Sequence, residues 1–332
     1  MTQDEKKTKP PNHDNPQNIV KALIKKSKKS FSNKDDSLGR LAANISPSYR
    51  DYIYKIISNC SLKIKSGSSS YILGSGQETG QSSLNKRQKN FISIELSDLD
   101  ALPHELGHAV DFWFGMSQPL TCSLILSNGM VLWDVFDQEF ESVHEKVFHE
   151  MMDKYKSILD SKIDKNAFDI IIKNVSGIRK LNDMPFNPKY KTNLEKRREI
   201  QNKLYASGFV DAYYELITND FSNKINEDYG PVLDALSSKY DLSFLNLVYH
   251  DIGYYQSGLG TKPVQEFFAN LFEAKVTSNQ AQLDNSAKYF PESVKAFEEL
   301  FSIIFDHIEN NKRFTDVKIR KGATNDLLQG LS

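Results

Sequence analysis

Two histidines and a glutamate in the first half of the chain have the residue types and the spacing of a metal centre. They belong to the pattern H-E-x-x-H, formed by His104, Glu105 and His108. Side chains four residues apart share one face of a helix, with roughly 6 Å between their Cβ atoms, so both imidazoles can reach one ion. Glu105 is rotated by about 100° from His104 and can reach a water on that ion. The spacing predicts a zinc site with a general base, as needed to hydrolyse an amide bond.

The surroundings of the motif support this prediction. Apart from Glu105, the residues between and beside the two histidines are uncharged, as expected of a helix turn buried around a metal. A second pair, His144 and His149, is five residues apart with Lys146 between them. Those two would lie about 140° apart on a helix and cannot share a metal from one face.

A catalytic zinc needs three protein ligands and an open position, so a third ligand must come from elsewhere. Asp111 follows on the motif helix, but about two turns from His104, and it suits a hydrogen bond to a ligand histidine better than the metal. Glu266 is the stronger candidate, because it stands beside a wide apolar face in a helix opened by Pro263. A carboxylate there is unfavourable unless it is paired or metal-bound. Glu273 on the same helix fits an ordinary solvated glutamate.

Two segments, His104–Asp111 and Glu266–Ala269, together resemble the gluzincin zinc metallopeptidases, especially the group of anthrax lethal factor and the Pro-Pro endopeptidases. The pair Tyr254-Tyr255, followed by a short polar loop and Glu-Phe-Phe-Ala-Asn-Leu-Phe, is similar to zincin domains associated with phage minor head proteins and bacterial toxins. The resemblance spans about residues 60 to 305, although its specific signals lie in these segments alone.

The resemblance implies that His104, His108 and Glu266 hold a zinc ion and that Glu105 is the general base. In lethal-factor-like enzymes a tyrosine that supports the transition state stands seven residues before the third ligand. That position here is Leu259.

The oxyanion donor is therefore open on the sequence. Tyr255 is the first candidate, because it precedes Glu266 by eleven residues across a glycine-rich loop that would let it swing inwards. Tyr254 and His250 are the alternatives.

The expected function is a zinc-dependent metalloendopeptidase that hydrolyses peptide bonds with a zinc-activated water, with Glu105 as general base. The expected partner is a peptide or protein substrate, and an inhibitor or immunity protein is a further candidate. The alternative is a catalytically silent zincin-derived structural or binding protein, a phage particle or toxin-associated component. Because 42 basic residues balance 43 acidic ones, nucleic acid is not expected. A nucleic-acid-associated protein would use the basic N-terminal arm.

Composition divides the chain into a core and two tails. Residues 1–40 are polar and lysine-rich and are predicted to be a disordered tail, with a short basic amphipathic helix as the alternative. Residues 41–311 are the predicted zincin-like catalytic domain, and 312–332 a flexible C-terminal tail. Without a signal peptide or a run of about 18 apolar residues, the protein is expected to be soluble and cytoplasmic, or delivered by a non-classical or phage route. Two free thiols are predicted, Cys60 and Cys122.

The predicted fold is α+β, a zincin-like metallopeptidase that is mostly helical with a small mixed sheet next to the motif helix. The strand signals are Tyr71–Leu73 and the alternating segment Ile92–Leu96, and the motif helix is predicted from an Asp100 cap to about Phe114. Asn128-Gly129 between two apolar runs predicts a hairpin. Helical patterns follow over about 137–162, 165–174, 190–219, 230–239, 263–277 and 290–310.

Overall fold

The computed structural model of the chain describes residues 16–26, 35–59, 61–64, 71–73, 93–96, 101–111, 119–158, 221–240, 242, 254–255, 261–310 and 317–320. The helices in these ranges are α1 Pro16–Lys26, α2 Asp35–Asn44, α3 Arg50–Asn59, α4 Leu102–Asp111, α5 Leu120–Ser123, α6 Leu132–Ile158, α7 Phe221–Ser237, α8 Lys262–Val276, α9 Gln280–Tyr289 and α10 Pro291–Glu309. The strands are β1 Ser61–Ile64, β2 Tyr71–Leu73 and β3 Ser93–Leu96.

The chain forms two compact units. Unit 1 comprises Met1–Leu120, Phe272–Asn279 and Phe301–Val317, and unit 2 comprises Thr121–Leu271, Gln280–Leu300 and Lys318–Ser332. Helices α8 and α10 are each continuous across this division. The last residues of α8 thus belong to the same unit as the motif helix α4.

Unit 1 is built around α3, which follows a 3-10 turn opened by Pro47. The apolar residues of α3 recur at helical spacing, and Tyr52 and Ile56 on that face are buried. The Tyr52 ring contacts Phe272 and Phe301, which come from α8 and α10. The same helix packs against α1 and against the motif helix α4, so the motif rests directly on the core of this unit.

Helix α1 lies in the segment that composition predicts to be a disordered tail. Its side chains Ile19 and Leu23 are fully buried, and the helix packs against α2 and α3. The tail prediction does not hold for Pro16–Lys26, because four apolar residues on one helix face bury enough surface to offset the entropy of ordering.

The predicted α+β class is wrong, because most of the described residues are helical. The strands are only three or four residues long; β1 pairs parallel and β2 antiparallel with β3, and α4 packs against β2 and β3. Strands this short cannot form a layer that the helices cover, so apolar burial in the described ranges is mainly helix against helix.

Unit 2 has an aromatic core on α6, where the rings of Phe136 and Phe140 stack on each other and contact Phe290. Phe136 also contacts Phe267 of α8. Helix α7 packs against α6 and α9. The predicted ends of α8 and α10 are confirmed to within one residue, because a proline opens each helix and a long apolar stripe follows it.

The hairpin predicted at Asn128-Gly129 is wrong, although the turn itself exists. Gly129 has φ 83°, and the Leu126 N–H donates to the carbonyl of Met130 at 2.8 Å. No described strand flanks this turn: α5 ends at Ser123 before it, and α6 begins at Leu132 after it. The apolar run after the turn continues into the stripe of α6, so helix packing determines its conformation.

Part of the predicted C-terminal tail is also held in place. Leu124 and Ile319 form an isolated antiparallel bridge, and the Arg320 guanidinium pairs with Asp134 at 3.0 Å. The prediction of a flexible tail therefore does not hold for residues 318–320. Cys122 is buried and forms no disulfide.

Several predictions fall outside the described residues, namely Asp100, Cys60, the end of the motif helix beyond Asp111, and the helices at 165–174 and 190–219. Within the ranges that the structure describes, no helix combines the length and apolarity needed to cross a membrane.

Candidate metal centre

Helix α4 presents His104 and His108 side by side, as their spacing predicts. Pro103 stands in its first turn, where the missing N–H is one that has no helical partner. The two imidazole rings are nearly perpendicular, with centroids 4.8 Å apart, and their Nε2 atoms are separated by 3.2 Å. Two nitrogens at about 2.0–2.1 Å from a tetrahedral zinc lie about 3.3–3.4 Å apart. The pair is therefore already spaced to share one ion.

The rest of α4 is packed away from solvent, which fixes the direction of the histidines. Leu106, Ala109 and Val110 are fully buried, whereas the two histidines are half-buried. Glu105 is 6% exposed, so its carboxylate sits in a largely dry environment. A buried ionisable group of this kind is costly unless it has partners, and its place between the histidines is where a general base is expected.

Helix α8 supplies the third predicted ligand. Glu266 is 2% exposed and lies among the buried residues Phe267 and Phe268. One ligand atom each from His104, His108 and Glu266 lies within 4.8 Å of the others, and among the described residues they are the one group of three that could hold a metal ion.

Within unit 1, the last turns of α8 contact the motif helix. The Oε2 atom of Glu273 lies 3.9 Å from Nδ1 of His104, and both residues belong to unit 1. Glu266 precedes Glu273 by seven residues, about two turns, on the same face of one continuous helix.

The donor set fits zinc in kind and number. Two imidazole nitrogens and one carboxylate oxygen are the three protein ligands of a catalytic zinc site, with a fourth position open.

Asp111 is the last described residue of the motif helix and is fully buried. It is not a member of the metal-ligating group, in line with its distance of about two turns from His104. Glu273, which the sequence suggests is an ordinary solvated glutamate, is the carboxylate that faces a ligand histidine. Its side chain is 34% exposed, so it is both partly solvated and close to His104.

The two tyrosines predicted as oxyanion donors have different hydrogen-bond partners. The Tyr255 hydroxyl donates to Oδ1 of Asp234 at 2.5 Å, and the ring is 3% exposed. Burial, and next the negative charge of Asp234, raise the pKa of Tyr255 well above its usual range. The Tyr254 hydroxyl instead donates to Oε1 of Glu266 at 2.6 Å. Tyr254, and not the first candidate Tyr255, therefore contacts the predicted metal ligand; His250 and Leu259 lie outside the described residues.

Further polar residues contact Glu266 or the two tyrosines, and no sequence pattern predicts these contacts. Nδ2 of Asn270 donates to Oδ2 of Asp234 at 2.5 Å and to the carbonyl of Glu266 at 3.0 Å. The Lys262 ammonium lies 3.9 Å from the ring centroid of Tyr254 and donates to its backbone carbonyl at 3.1 Å. The separations from Asp234, 21 residues to Tyr255 and 36 to Asn270, put these contacts beyond any local pattern.

The second histidine pair behaves as predicted for ordinary histidines. Nδ1 of His144 is 2.8 Å from the hydroxyl of Tyr240, and its ring stacks on Phe140. His149 contacts the ring of Phe148 by an edge. Neither histidine belongs to a metal-ligating group in the described part of the chain.

No protein-family model, curated protein or solved structure matches the chain. The resemblance to gluzincins accordingly rests on the motif residues themselves.

Proposed function

We propose that this chain is a zinc-dependent metalloendopeptidase with His104, His108 and Glu266 as its metal ligands. The observation that carries the proposal is the convergence of those three donors, two of them from a helix whose intervening Glu105 is buried. A structural zinc site has four protein ligands, whereas three donors and an adjacent carboxylate are the composition of a hydrolytic site.

In this proposal a bound zinc ion supplies Lewis acidity that polarises the substrate carbonyl and lowers the pKa of a water. Glu105 accepts the proton of the attacking water and then delivers it to the leaving amine nitrogen. Its low exposure favours this role, because bulk water competes little for a carboxylate that is 6% exposed.

A bound zinc ion would also stabilise the oxyanion that develops on the scissile carbonyl. The Tyr254 hydroxyl donates to Oε1 of Glu266, so we propose that it supports the third metal ligand and is not the oxyanion donor. The Tyr255 hydroxyl donates to Oδ1 of Asp234, so we assign this residue a structural role.

The test compares Glu105→Gln with Glu145→Gln. Glu145 also follows a histidine within a helix but is exposed, so it controls for loss of a helical glutamate. Zinc content and cleavage of a peptide library are measured on the same preparations. We expect Glu105→Gln to keep zinc and to lose cleavage by at least about a hundredfold, with Glu145→Gln unchanged. Wild-type protein that binds zinc but cleaves no peptide would instead support the catalytically silent alternative.

A further inference from the structure

The strongest polar cluster beyond the ligands themselves centres on Asp234 in α7. Both carboxylate oxygens of this residue are used, and by different parts of the chain. Oδ1 accepts from the hydroxyl of Tyr255, and Oδ2 accepts from the side-chain amide of Asn270. A single carboxylate thus joins α7 to the tyrosine pair and to α8 within unit 2.

Each of these two donors is also connected to Glu266, the predicted third metal ligand. Asn270 stands one turn after Glu266 in α8, and its amide also donates to the carbonyl of Glu266. Tyr255 is bonded in sequence to Tyr254, whose hydroxyl donates to Oε1 of Glu266 at 2.6 Å. Asp234 therefore reaches Glu266 by two routes, one to its backbone and one to its carboxylate.

The contacts of the two tyrosines couple the position of Tyr255 to that of Tyr254. The rings of Tyr254 and Tyr255 meet edge to face, with centroids 5.3 Å apart. Lys262 holds Tyr254 from the other side, through its ring and its backbone carbonyl. Burial, and next the negative charge of Asp234, raise the pKa of the Tyr255 phenol, which favours the protonated form that donates to Asp234.

We infer that Asp234 is a positioning residue for the third metal ligand: it fixes Tyr255 and Asn270, and through them holds the Tyr254 phenol on Oε1 of Glu266. A carboxylate with one oxygen held in this way has the direction of its other oxygen fixed as well. Partners that orient a metal ligand commonly change metal affinity by roughly 10–100-fold when they are removed. The inference rests on the proposed function, since it assigns Glu266 to the metal.

The main variant is Asp234→Asn, which keeps the shape of the side chain. It replaces one accepting oxygen by an amide group that donates, so one of the two hydrogen bonds, from Tyr255 or from Asn270, is lost. The second variant is Tyr254→Phe, which removes only the hydroxyl on Glu266. Asp153→Asn is the matched control, because Asp153 is an exposed helical aspartate. Zinc affinity of the full chain is measured by competition with a chelator, and the visible spectrum of the cobalt-substituted protein reports ligand geometry.

We expect Asp234→Asn and Tyr254→Phe each to weaken zinc binding by roughly 10–100-fold, with an altered cobalt spectrum and no change in Asp153→Asn. The double variant should lose no more affinity than the worse single variant, because both act through the same contact. Thermal unfolding of the metal-free variants shows whether they fold. If Asp234→Asn does not fold, the zinc affinity of Tyr254→Phe tests the inference.

Wild-type zinc affinity in both variants, or losses that multiply in the double variant, would overturn the inference while leaving the proposed function intact. Zinc binding without any peptide cleavage by the wild type would remove the proposed peptidase but not the role of Asp234, which the affinities still decide. A wild-type chain that binds no zinc overturns both.

Discussion

The Glu273 carboxylate lies 3.9 Å from Nδ1 of His104, the ring nitrogen opposite the one that faces His108. A metal-ligating histidine usually gives its second nitrogen to a carboxylate or carbonyl, which fixes the tautomer and raises the basicity of the ligating atom. Glu273 thus occupies the place of such a partner, and it does so from the helix that also carries Glu266.

Replacing Glu273 by glutamine should weaken zinc binding by up to about tenfold, at the low end of the range for residues that orient metal ligands. The effect should be modest because the side chain is 34% exposed and its distance to His104 is longer than a hydrogen bond. Chelator competition measures the affinity, with Glu145→Gln as the control. An affinity equal to that of the wild type would assign Glu273 to solvent.

Removing the hydroxyl from two buried tyrosines should change stability in opposite directions. The Tyr52 hydroxyl is buried without a hydrogen-bond partner, so Tyr52→Phe should raise the free energy of unfolding by about 1 kcal/mol. Tyr255→Phe should lower it by about 1–3 kcal/mol, because Asp234 loses a donor. Denaturant unfolding of the metal-free protein measures both, and destabilisation of the same size in the two variants would contradict the assignment.

Stability should fall as the pH rises above about 10. Burial raises the pKa of both Tyr52 and Tyr255 above the usual value of 10.0, and the charges of Glu309 and Asp234, respectively, add to the effect. Below pH 10 both phenols are protonated in the folded and the unfolded chain, and their contribution is complete. Above it the unfolded chain releases protons that the folded chain retains, so each phenol lowers the free energy of unfolding by about 1.4 kcal/mol per pH unit.

Denaturant titrations at several alkaline pH values measure this slope. Tyr52→Phe and Tyr255→Phe should each make it shallower by the share of one phenol. A slope unaffected by either substitution would mean that other groups dominate alkaline unfolding.

Removal of zinc should destabilise the wild-type chain. With zinc at about a thousand times its dissociation constant, binding adds about 4 kcal/mol to the free energy of unfolding. A chelator should therefore lower the melting temperature of the wild type but not that of His108→Ala, which lacks one ligand. Equal sensitivity of the two proteins would place the bound metal elsewhere.

The parts of the centre that follow from local spacing could be predicted from the sequence. His104 and His108 are one turn apart, and Glu266 follows Pro263 on an apolar helix, so the three predicted ligands needed only helix geometry and a resemblance. Their convergence is a property of the fold.

The parts that depend on distant packing could not be predicted. Asp234 accepts hydrogen bonds from Tyr255 and Asn270, which are 21 and 36 residues away in the sequence. Adjacent residues such as Tyr254 and Tyr255 point in different directions, and which of them faces Glu266 depends on backbone torsions that no pattern encodes. The turn at Gly129 was visible in the sequence, but the helix after it follows from burial of the apolar stripe on α6.

The buried face of α1 has a practical consequence for anyone who shortens this protein. Composition alone invites removal of the first forty residues, yet Ile19 and Leu23 are part of the core of unit 1. A chain that begins after Lys26 would present the uncovered side of α3 to water as an apolar patch prone to self-association. Loss of activity in such a truncated protein would report on solubility, and would say nothing about the histidines of α4.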